Sequence, residues 1–222
     1  MEVLKKKLSV SSQTKPWNKY FDDLAKALMS KYVIKKGNVI YEFAEIEFYL
    51  FHNGQNEHID TSVYPRECKA GTLFYHYSGV DIAFETCINE SNVTFGGILI
   101  RSLVKKNDPK TDGEIIAGPL RCKDELLNGE GPIEITALQT PIDIDSELWK
   151  CRRQGVSRGG KQEKLYRYYR NRDKGDWDRK PERMLYIKKD EKITVVKTPK
   201  TETYSGAPNE SHMPELVQPP KD

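Results

Sequence analysis

The alternation of apolar and polar residues predicts a chain made mainly of short β-strands with a few helices. In residues 21–29, Leu24, Ala27 and Leu28 recur at helical spacing and would share one helix face. A second short helix is expected at residues 123–128. Apolar runs between polar or Gly- and Pro-containing turns predict strands at 32–34, 39–51, 72–77, 80–86, 96–104, 133–138, 141–144, 184–187 and 192–196. This order predicts an α+β fold, a single domain with a curved, mainly antiparallel β-sheet flanked by short helices.

The two ends of the chain differ in composition from its centre. A length of 222 residues suits one compact domain. We expect residues 1–19 to form a polar N-terminal arm, either docked or loose, and residues 20–197 to form the domain. Residues 198–222 are rich in Pro, Ser, Thr and acidic side chains, a composition typical of a disordered tail.

Positive charge is concentrated in one segment. The formal net charge is +3, yet residues 151–189 contain 14 Lys and Arg against 5 acidic residues. Such a field attracts a polyanion, most commonly nucleic acid, although a solvated surface that binds nothing has the same composition. Within it, Arg167, Tyr168, Tyr169 and Arg170 interleave cations and aromatics as nucleic-acid surfaces do; an ordinary helix explains them equally well.

Several protein classes lack their sequence motifs here. The four cysteines, at positions 68, 87, 122 and 151, form no CxxC pair and are typical of free thiols in a reducing compartment. The chain has no Gly-rich phosphate loop, no GxSxG motif and no metal-ligand spacing among its histidines, so no motif here predicts a metal site. It also has no apolar stretch of membrane-spanning length. We therefore expect no membrane partner and an intracellular location, in the cytoplasm or nucleoid, or in the nucleus of a eukaryote.

One strand carries candidate chemistry. Glu45, Glu47 and Tyr49 alternate along residues 39–51, so their side chains would share one face. Crowded carboxylates raise each other's pKa, which can prepare one of them to act as a general base. His58 lies in the polar loop that follows, at residues 53–69. The same alternation also fits a solvent-facing strand without a function.

A series of short motifs in a fixed order extends this strand into a family resemblance. The motifs are DLAKALM at 23–29, EIEFYL at 45–50, His58, GTLFY at 71–75, Gly79, ILIRSL at 98–103, AGPL at 117–120 and WDRKP at 177–181. No single motif is specific, but their shared order over residues 20–197 resembles the alkyladenine (3-methyladenine) DNA glycosylase family. These enzymes belong to base excision repair and act on double-stranded DNA that contains damaged bases.

The resemblance implies a mechanism and a set of site residues. An alkylated purine would be flipped out of the duplex and its N-glycosidic bond hydrolysed, leaving an abasic site without a cofactor or a strand-nicking step. Glu47 would deprotonate the attacking water, and Arg101 would hold that water or the flanking phosphate. Tyr49 would stack on the base and His58 would hydrogen-bond to the base or an adjacent phosphate. The remaining DNA-binding candidates are Tyr75, His76, Tyr77, Glu85, Arg179 and Lys180, and the enzyme would act as a monomer.

The sequence departs from the family at the predicted hairpin tip and just after it. Ser78 precedes Gly79 where the family has a wedge tyrosine, so Tyr77 or His76 would have to fill the gap left by a flipped base. The stacking aromatic could be either Tyr75 or His76. Glu85 stands where the family has an asparagine that disfavours guanine. Because a carboxylate accepts hydrogen bonds, we expect a changed base preference, toward alkylated guanine.

These departures leave two other functions open. The first is a catalytically altered protein with the glycosylase fold that binds damaged DNA without cleaving it. The second is an RNA-directed binder or a nucleosidase-like enzyme.

Overall fold

A computed structural model describes residues 1–10, 16–108, 110–144, 148–153, 156 and 164–170, together with the backbone of residues 183–186 and 194–197. The helices of this described part are α1 (Glu2–Leu8), α2 (Trp17–Lys31) and α3 (Pro119–Leu127). Its strands are β1 (Tyr32–Lys36), β2 (Val39–His52), β3 (Leu73–His76), β4 (Gly79–Ala83), β5 (Cys87–Asn89), β6 (Asn92–Lys106), β7 (Ile115–Ala117), β8 (Ile133–Ala137), β9 (Leu148–Cys151), β10 (Arg167–Arg170), β11 (Arg183–Tyr186) and β12 (Thr194–Lys197).

All of these strands belong to one curved sheet. The order along its main path is β12-β11-β9-β10-β2-β6-β4-β3, with β1, β5, β7 and β8 paired beside it. Every strand pairing is antiparallel. The structure therefore confirms the predicted fold class, an α+β domain with a curved antiparallel sheet and short helices.

The long strands β2 and β6 form the centre of the sheet and separate two environments. One face of β2 is apolar, with Phe43, Ile46, Phe48 and Leu50 all fully buried. Helix α2 packs on this face, and its Phe21 ring stacks on Phe48 with 4.6 Å between centroids. Because successive side chains of a strand alternate, the intervening residues of β2 point to the opposite face.

A β-bulge interrupts the pairing of β2 with β6. The register shifts on both sides of Glu45, between Phe43 and Ile46 on β2 and around Arg101 on β6. The outer neighbours of both strands change at this point: β2 passes from β1 to β10, and β6 from β7 to β4. Bulges bend a strand and change the direction of a side chain, and this one brings Arg101 beside Glu45.

The predicted N-terminal arm contains a helix that docks on the domain. Leu4 and Leu8 of α1 are fully buried, and the backbone carbonyl of Leu8 accepts a hydrogen bond from the Glu85 amide at 3.0 Å. The hydroxyl of Tyr20 donates to the carbonyl of Lys7. Burial of two leucines on one face explains why this short helix packs against the domain.

Two local predictions were wrong. Residues 141–144 form no strand; instead, the Ile142 amide donates to the Ser30 carbonyl at the end of α2. Residues 167–170 are neither a nucleic-acid surface nor a helix but the buried strand β10, whose Arg167 is 1% exposed. The short strands β5, β7 and β9 were not predicted, and the expected tail at 198–222 lies outside the described residues.

None of the helices in the described part of the chain is both long enough and apolar enough to cross a bilayer.

Truncating Leu4 to alanine should destabilise the domain much more than truncating its neighbour Val3. Leu4 is fully buried whereas Val3 is 66% exposed. Removing a buried leucine side chain costs about 2–5 kcal/mol, and exposed positions change stability by less than about 0.5 kcal/mol. Urea unfolding of Leu4→Ala and Val3→Ala measures the difference. Equal unfolding free energies for the two variants would contradict the docking of α1.

Candidate active site

The sheet face opposite α2 carries a group of charged and aromatic side chains, which we call the polar face. Its residues are Glu45, Glu47 and Tyr49 on β2, Arg101 on β6, Arg167 on β10, Asp81 on β4, and Phe74 and His76 on β3. Strand register places Glu47 opposite both Arg167 and Leu99, and Leu99 opposite Asp81. The predicted sharing of one face by Glu45, Glu47 and Tyr49 is confirmed by this register and by a 2.7 Å bond from the Tyr49 hydroxyl to Glu47 Oε2.

Two buried carboxylates and two arginines form the centre of the polar face. Arg101 Nε lies 2.9 Å from Glu45 Oε1, and its Nη1 lies 3.2 Å from Glu47 Oε2. Arg167 Nε donates to the same Glu45 Oε1, while Ser102 Oγ donates to Glu45 Oε2 at 3.0 Å. Glu47 is 0% exposed, so its charge is compensated by these neighbours rather than by bulk water.

Glu45 does not have the raised pKa that the sequence predicted for two neighbouring carboxylates. Burial alone would raise the pKa of Glu45, but the neighbouring Arg167 and Arg101 outweigh it and hold that pKa below its usual value. Burial would also lower the pKa of Arg101, but Glu47 and Glu45 raise it above its usual value. The arginines therefore keep Glu45 ionised, and Glu45 is not a candidate proton donor.

Tyr49 is held in place from two sides. Burial first, and then the charge of Glu47, raise the pKa of Tyr49 well above its usual value, so the phenol stays neutral and donates to Glu47. The Arg153 guanidinium lies over the Tyr49 ring, 4.5 Å from its centroid, and forms a buried ion pair with Asp60. One ring face of Tyr49 is thus occupied by a cation, which leaves at most the other face for a flat ligand.

The hairpin of β3 and β4 places its aromatic residues on different faces of the sheet. Tyr75 packs against the apolar core, on the face opposite Glu47, whereas His76 lies on the polar face. Tyr77 projects from the turn and is 86% exposed. Lys123 of α3 supports the turn, because its Nζ donates to the carbonyls of His76 and Tyr77 at 3.2 and 3.3 Å.

A second charged group surrounds His76. Asp81 is 2% exposed; its Oδ1 accepts from His76 Nε2 at 3.1 Å and its Oδ2 from Arg66 Nη1. Arg66 also lies over the Phe74 ring, 4.6 Å from its centroid, and Phe74 stacks on His76. Sequence reasoning missed Asp81 and Arg66, although an aspartate inside the apolar run 80–84 was a usable signal.

One other sequence candidate, Glu85, lies away from Glu47. Glu85 follows the end of β4, four residues from Asp81, which is about 13 Å along an extended chain. Its carboxylate accepts from the Ala70 amide and its own amide donates to Leu8, so both bonds hold the base of the hairpin. Its effect on base preference stays a prediction, and Arg179 and Lys180 lie outside the described residues.

The structure corrects the role expected for His58. This residue is 2% exposed, with Nδ1 bonded to the Leu50 carbonyl at 2.8 Å and Nε2 to the Tyr166 hydroxyl at 3.0 Å. Its ring packs edge-on against Phe21 of α2, on the apolar side of the sheet. Both ring nitrogens are therefore engaged by the protein, and His58 stabilises the loop after β2 instead of facing the polar face.

The buried carboxylates of the polar face are paired with arginines. Among the described residues, no three His, Cys, Asp or Glu side chains are grouped so that they could hold a metal ion. The arginines occupy the positions beside the carboxylates where a cation would otherwise bind.

Comparison with known proteins gives little functional information. No family model matches the chain and no solved structure matches it. A curated protein of Acanthamoeba polyphaga mimivirus, described as uncharacterized, is 35% identical over 130 residues, and the match covers 49% of this chain and 56% of that protein. The chain thus spans little more than half the length of this relative.

Acidification should destabilise the protein through His58. Burial lowers the pKa of His58 to about 4 from its usual 6.5. Between these values the unfolded chain binds a proton that the folded chain does not, so stability decreases as the pH falls from 6.5 toward 4. The full shift corresponds to roughly 3 kcal/mol.

Urea unfolding of the wild type and His58→Gln at pH 7 and pH 4.5 measures this effect. Both proteins lose stability in acid through other groups, so the informative quantity is the difference in their pH dependence. The wild type should lose more stability than the variant, and parallel losses would contradict a neutral, buried His58.

Proposed function

We propose that the protein is a monofunctional DNA glycosylase that hydrolyses the N-glycosidic bond of alkylated purines. The observation that carries the proposal is the position of Glu47, a buried carboxylate on the polar face beside Arg101 and Tyr49. The order of sequence motifs that resembles the alkyladenine glycosylases supports the same conclusion. The proposed partner is duplex DNA with a damaged base, which has to be flipped out to reach such a site.

The chemistry requires a fixed anion near the sugar. Cleavage of an N-glycosidic bond develops positive charge on the sugar ring, and a nearby carboxylate stabilises this charge and accepts a proton from the attacking water. Tyr49 and Arg101 hold the Glu47 carboxylate in one orientation. Because these donors are already in place, little reorganisation is needed as the charge develops.

The hairpin supplies a candidate DNA-contacting element. Tyr77 is the most exposed large hydrophobic side chain of the described residues, and it projects from a turn that Lys123 supports. An aromatic side chain at such a tip can stack in the space that a flipped base vacates. Tyr77 rather than Ser78 is therefore the proposed wedge.

Replacing Glu47 with glutamine should abolish excision, because an amide cannot accept the proton from water. Loss of general-base catalysis reduces rates by about 10²–10⁴-fold. The assay incubates methylated duplex DNA with the protein and quantifies abasic sites. Glu90→Gln, a change at an exposed glutamate in the β5–β6 turn, is the matched control and should retain wild-type activity. Equal abasic-site formation by the wild type and Glu47→Gln would refute catalysis at Glu47.

One observation favours a second function, the binding of damaged DNA without cleavage. Glu47 Oε2 accepts from the Tyr49 hydroxyl and lies 3.2 Å from Arg101 Nη1, so the lone pairs of this oxygen are already engaged by the protein and are less available to an attacking water. A protein of this kind would form no abasic sites but would still bind lesion-containing duplex with a steep dependence on salt. The excision assay and a salt titration of binding together separate the two functions.

Replacing Tyr77 with alanine should weaken binding to lesion-containing duplex by about fivefold or more, since stacking on one base contributes about 1–3 kcal/mol. Binding is best measured in the Glu47→Gln background, where the DNA stays intact. Tyr64→Ala is the matched control, because Tyr64 is also exposed, at 50%. Both changes should leave the melting temperature nearly unaltered. Equal affinities of the two variants would exclude Tyr77 as the wedge.

A further inference from the structure

Helix α1 carries three consecutive lysines, Lys5, Lys6 and Lys7, and all three are exposed. The helix lies outside residues 20–197, which carry the resemblance to the alkyladenine glycosylases. Lys5 Nζ lies 3.4 Å from the exposed carboxylate of Glu2, whereas Lys6 and Lys7 have no ion-pair partner among the described residues. Within the described part of the chain, the charges of Lys6 and Lys7 are therefore available to a binding partner.

The docking of α1 holds these lysines in a fixed place, unlike those of a loose basic arm. Leu4 and Leu8 are fully buried against the domain, and the Lys7 carbonyl accepts from the Tyr20 hydroxyl. Successive residues of a helix are about 100° apart around its axis, so three consecutive lysines cover the side away from the two leucines. Because the helix is already ordered, a partner that binds it pays little of the entropy cost of ordering a flexible segment.

Lys69 extends this positive charge onto the domain. The Thr72 amide donates to the Lys69 carbonyl, and a Cβ at Gly71 would lie 3.7 Å from Lys5 Cγ, so the turn that begins at Lys69 packs against Lys5. We call Lys5, Lys6, Lys7 and Lys69 the basic surface. The exposed acids of the same two segments, 2–8 and 67–71, are Glu2 and Glu67, so four lysines face two acids and positive charge is in excess.

The basic surface lies at the base of the hairpin whose tip carries Tyr77. The Leu8 carbonyl accepts from the Glu85 amide just after β4, and the Gly71 amide donates to the Ala83 carbonyl. Tyr77 follows Gly71 by six residues, which is about 20 Å at the spacing of an extended strand. This length corresponds to about six base pairs of duplex DNA, so one duplex can contact both ends of the hairpin.

The chemistry of the basic surface fits a phosphodiester backbone rather than a lipid bilayer. An amphipathic helix that binds a membrane inserts its apolar side between the lipids. In α1 the leucines of that side, Leu4 and Leu8, are buried against the domain, so insertion would require the helix to undock. A phosphodiester backbone requires only exposed cations at fixed positions, and the docked helix presents these.

We propose that α1 and Lys69 form a docking surface for the sugar–phosphate backbone of duplex DNA. The inference goes beyond the proposed glycosylase chemistry, because backbone binding requires no excision. Each lysine that neutralises a phosphate releases counterions from the DNA, so its contribution decreases as the salt concentration rises. The basic surface thus supplies an attraction that the polar face does not, since the carboxylates and arginines of that face compensate each other.

The experiment measures the affinity for an undamaged duplex, longer than the hairpin, over a range of salt concentrations. The triple variant Lys5→Gln/Lys6→Gln/Lys7→Gln should bind more weakly at low salt. The slope of log affinity against log salt concentration should become shallower by about 0.9 for each phosphate contact that is lost. Because phosphate contacts carry no sequence information, the loss should be the same with damaged and undamaged duplexes.

The triple variant Lys31→Gln/Lys35→Gln/Lys110→Gln is the matched control, because it removes the same charge from three lysines that are also exposed. Lys35 on β1 and Lys110 after β6 lie toward the C-terminal end of β6. Helix α1 instead lies near the N-terminal half of β6, where the Phe84 amide bonds Gly96. The control variant should therefore keep the wild-type salt slope.

A second variant separates charge from helix structure. Lys5→Arg/Lys6→Arg/Lys7→Arg keeps the three positive charges and should bind duplex DNA with the wild-type slope. Arginine is as good a helix former as lysine, so α1 should stay docked. Melting temperatures check the folding of all three triple variants.

The outcomes separate this surface from the glycosylase function. Equal salt slopes for the α1 glutamine variant and its control would overturn the docking surface. So would a loss of binding to phosphatidylserine vesicles without a loss of binding to DNA, because α1 would then serve a membrane. Abasic-site formation by the wild type in either case leaves the glycosylase function standing. If the slopes change as expected but no abasic sites form, the docking surface stands and the glycosylase function fails.

Discussion

The ion pairing of Glu45 and Glu47 with arginines from neighbouring strands is the constraint on which the rest of the polar face depends. A carboxylate removed from water is strongly destabilising unless an opposite charge and hydrogen bonds compensate it. Arg101 reaches Glu45 and Glu47 because a bulge turns it toward β2, and Arg167 reaches Glu45 because β10 inserts between β2 and β9. The order of the central strands therefore brings the two buried carboxylates, Glu45 and Glu47, next to their arginine partners.

The same principle extends across the polar face. Asp60 is paired with Arg153 and Asp81 with Arg66, so each of the four carboxylates of this region has an arginine partner. The polar face and its surroundings therefore carry no strong excess of positive or negative charge. Attraction for a polyanion has to come from elsewhere on the protein, and specificity from the orientation of fixed donors and acceptors.

The sequence predicted the fold class, the limits of β2 and the shared face of Glu45, Glu47 and Tyr49, because each follows from alternation within a few residues. Arg167 could not be placed, since its partner Glu45 lies 122 positions away and the surrounding cations and tyrosines resemble a surface. His58 was expected to bind the base or an adjacent phosphate because its position after Tyr49 resembles that of the family's histidine. Its direction depends on the Leu50 carbonyl and on Tyr166, and such long-range contacts leave no local pattern.

The docking of α1 has a mechanical consequence for the hairpin. The Leu8 carbonyl binds the Glu85 amide, and the Glu85 carboxylate binds the Ala70 amide, so the roots of β3 and β4 are tied together and to the same helix. The hairpin is therefore fixed at its base, and Lys123 of α3 supports it near its tip. A load applied at Tyr77 is borne by α1 and α3 and, through the pairing of β4 with β6, by the strand that carries Arg101.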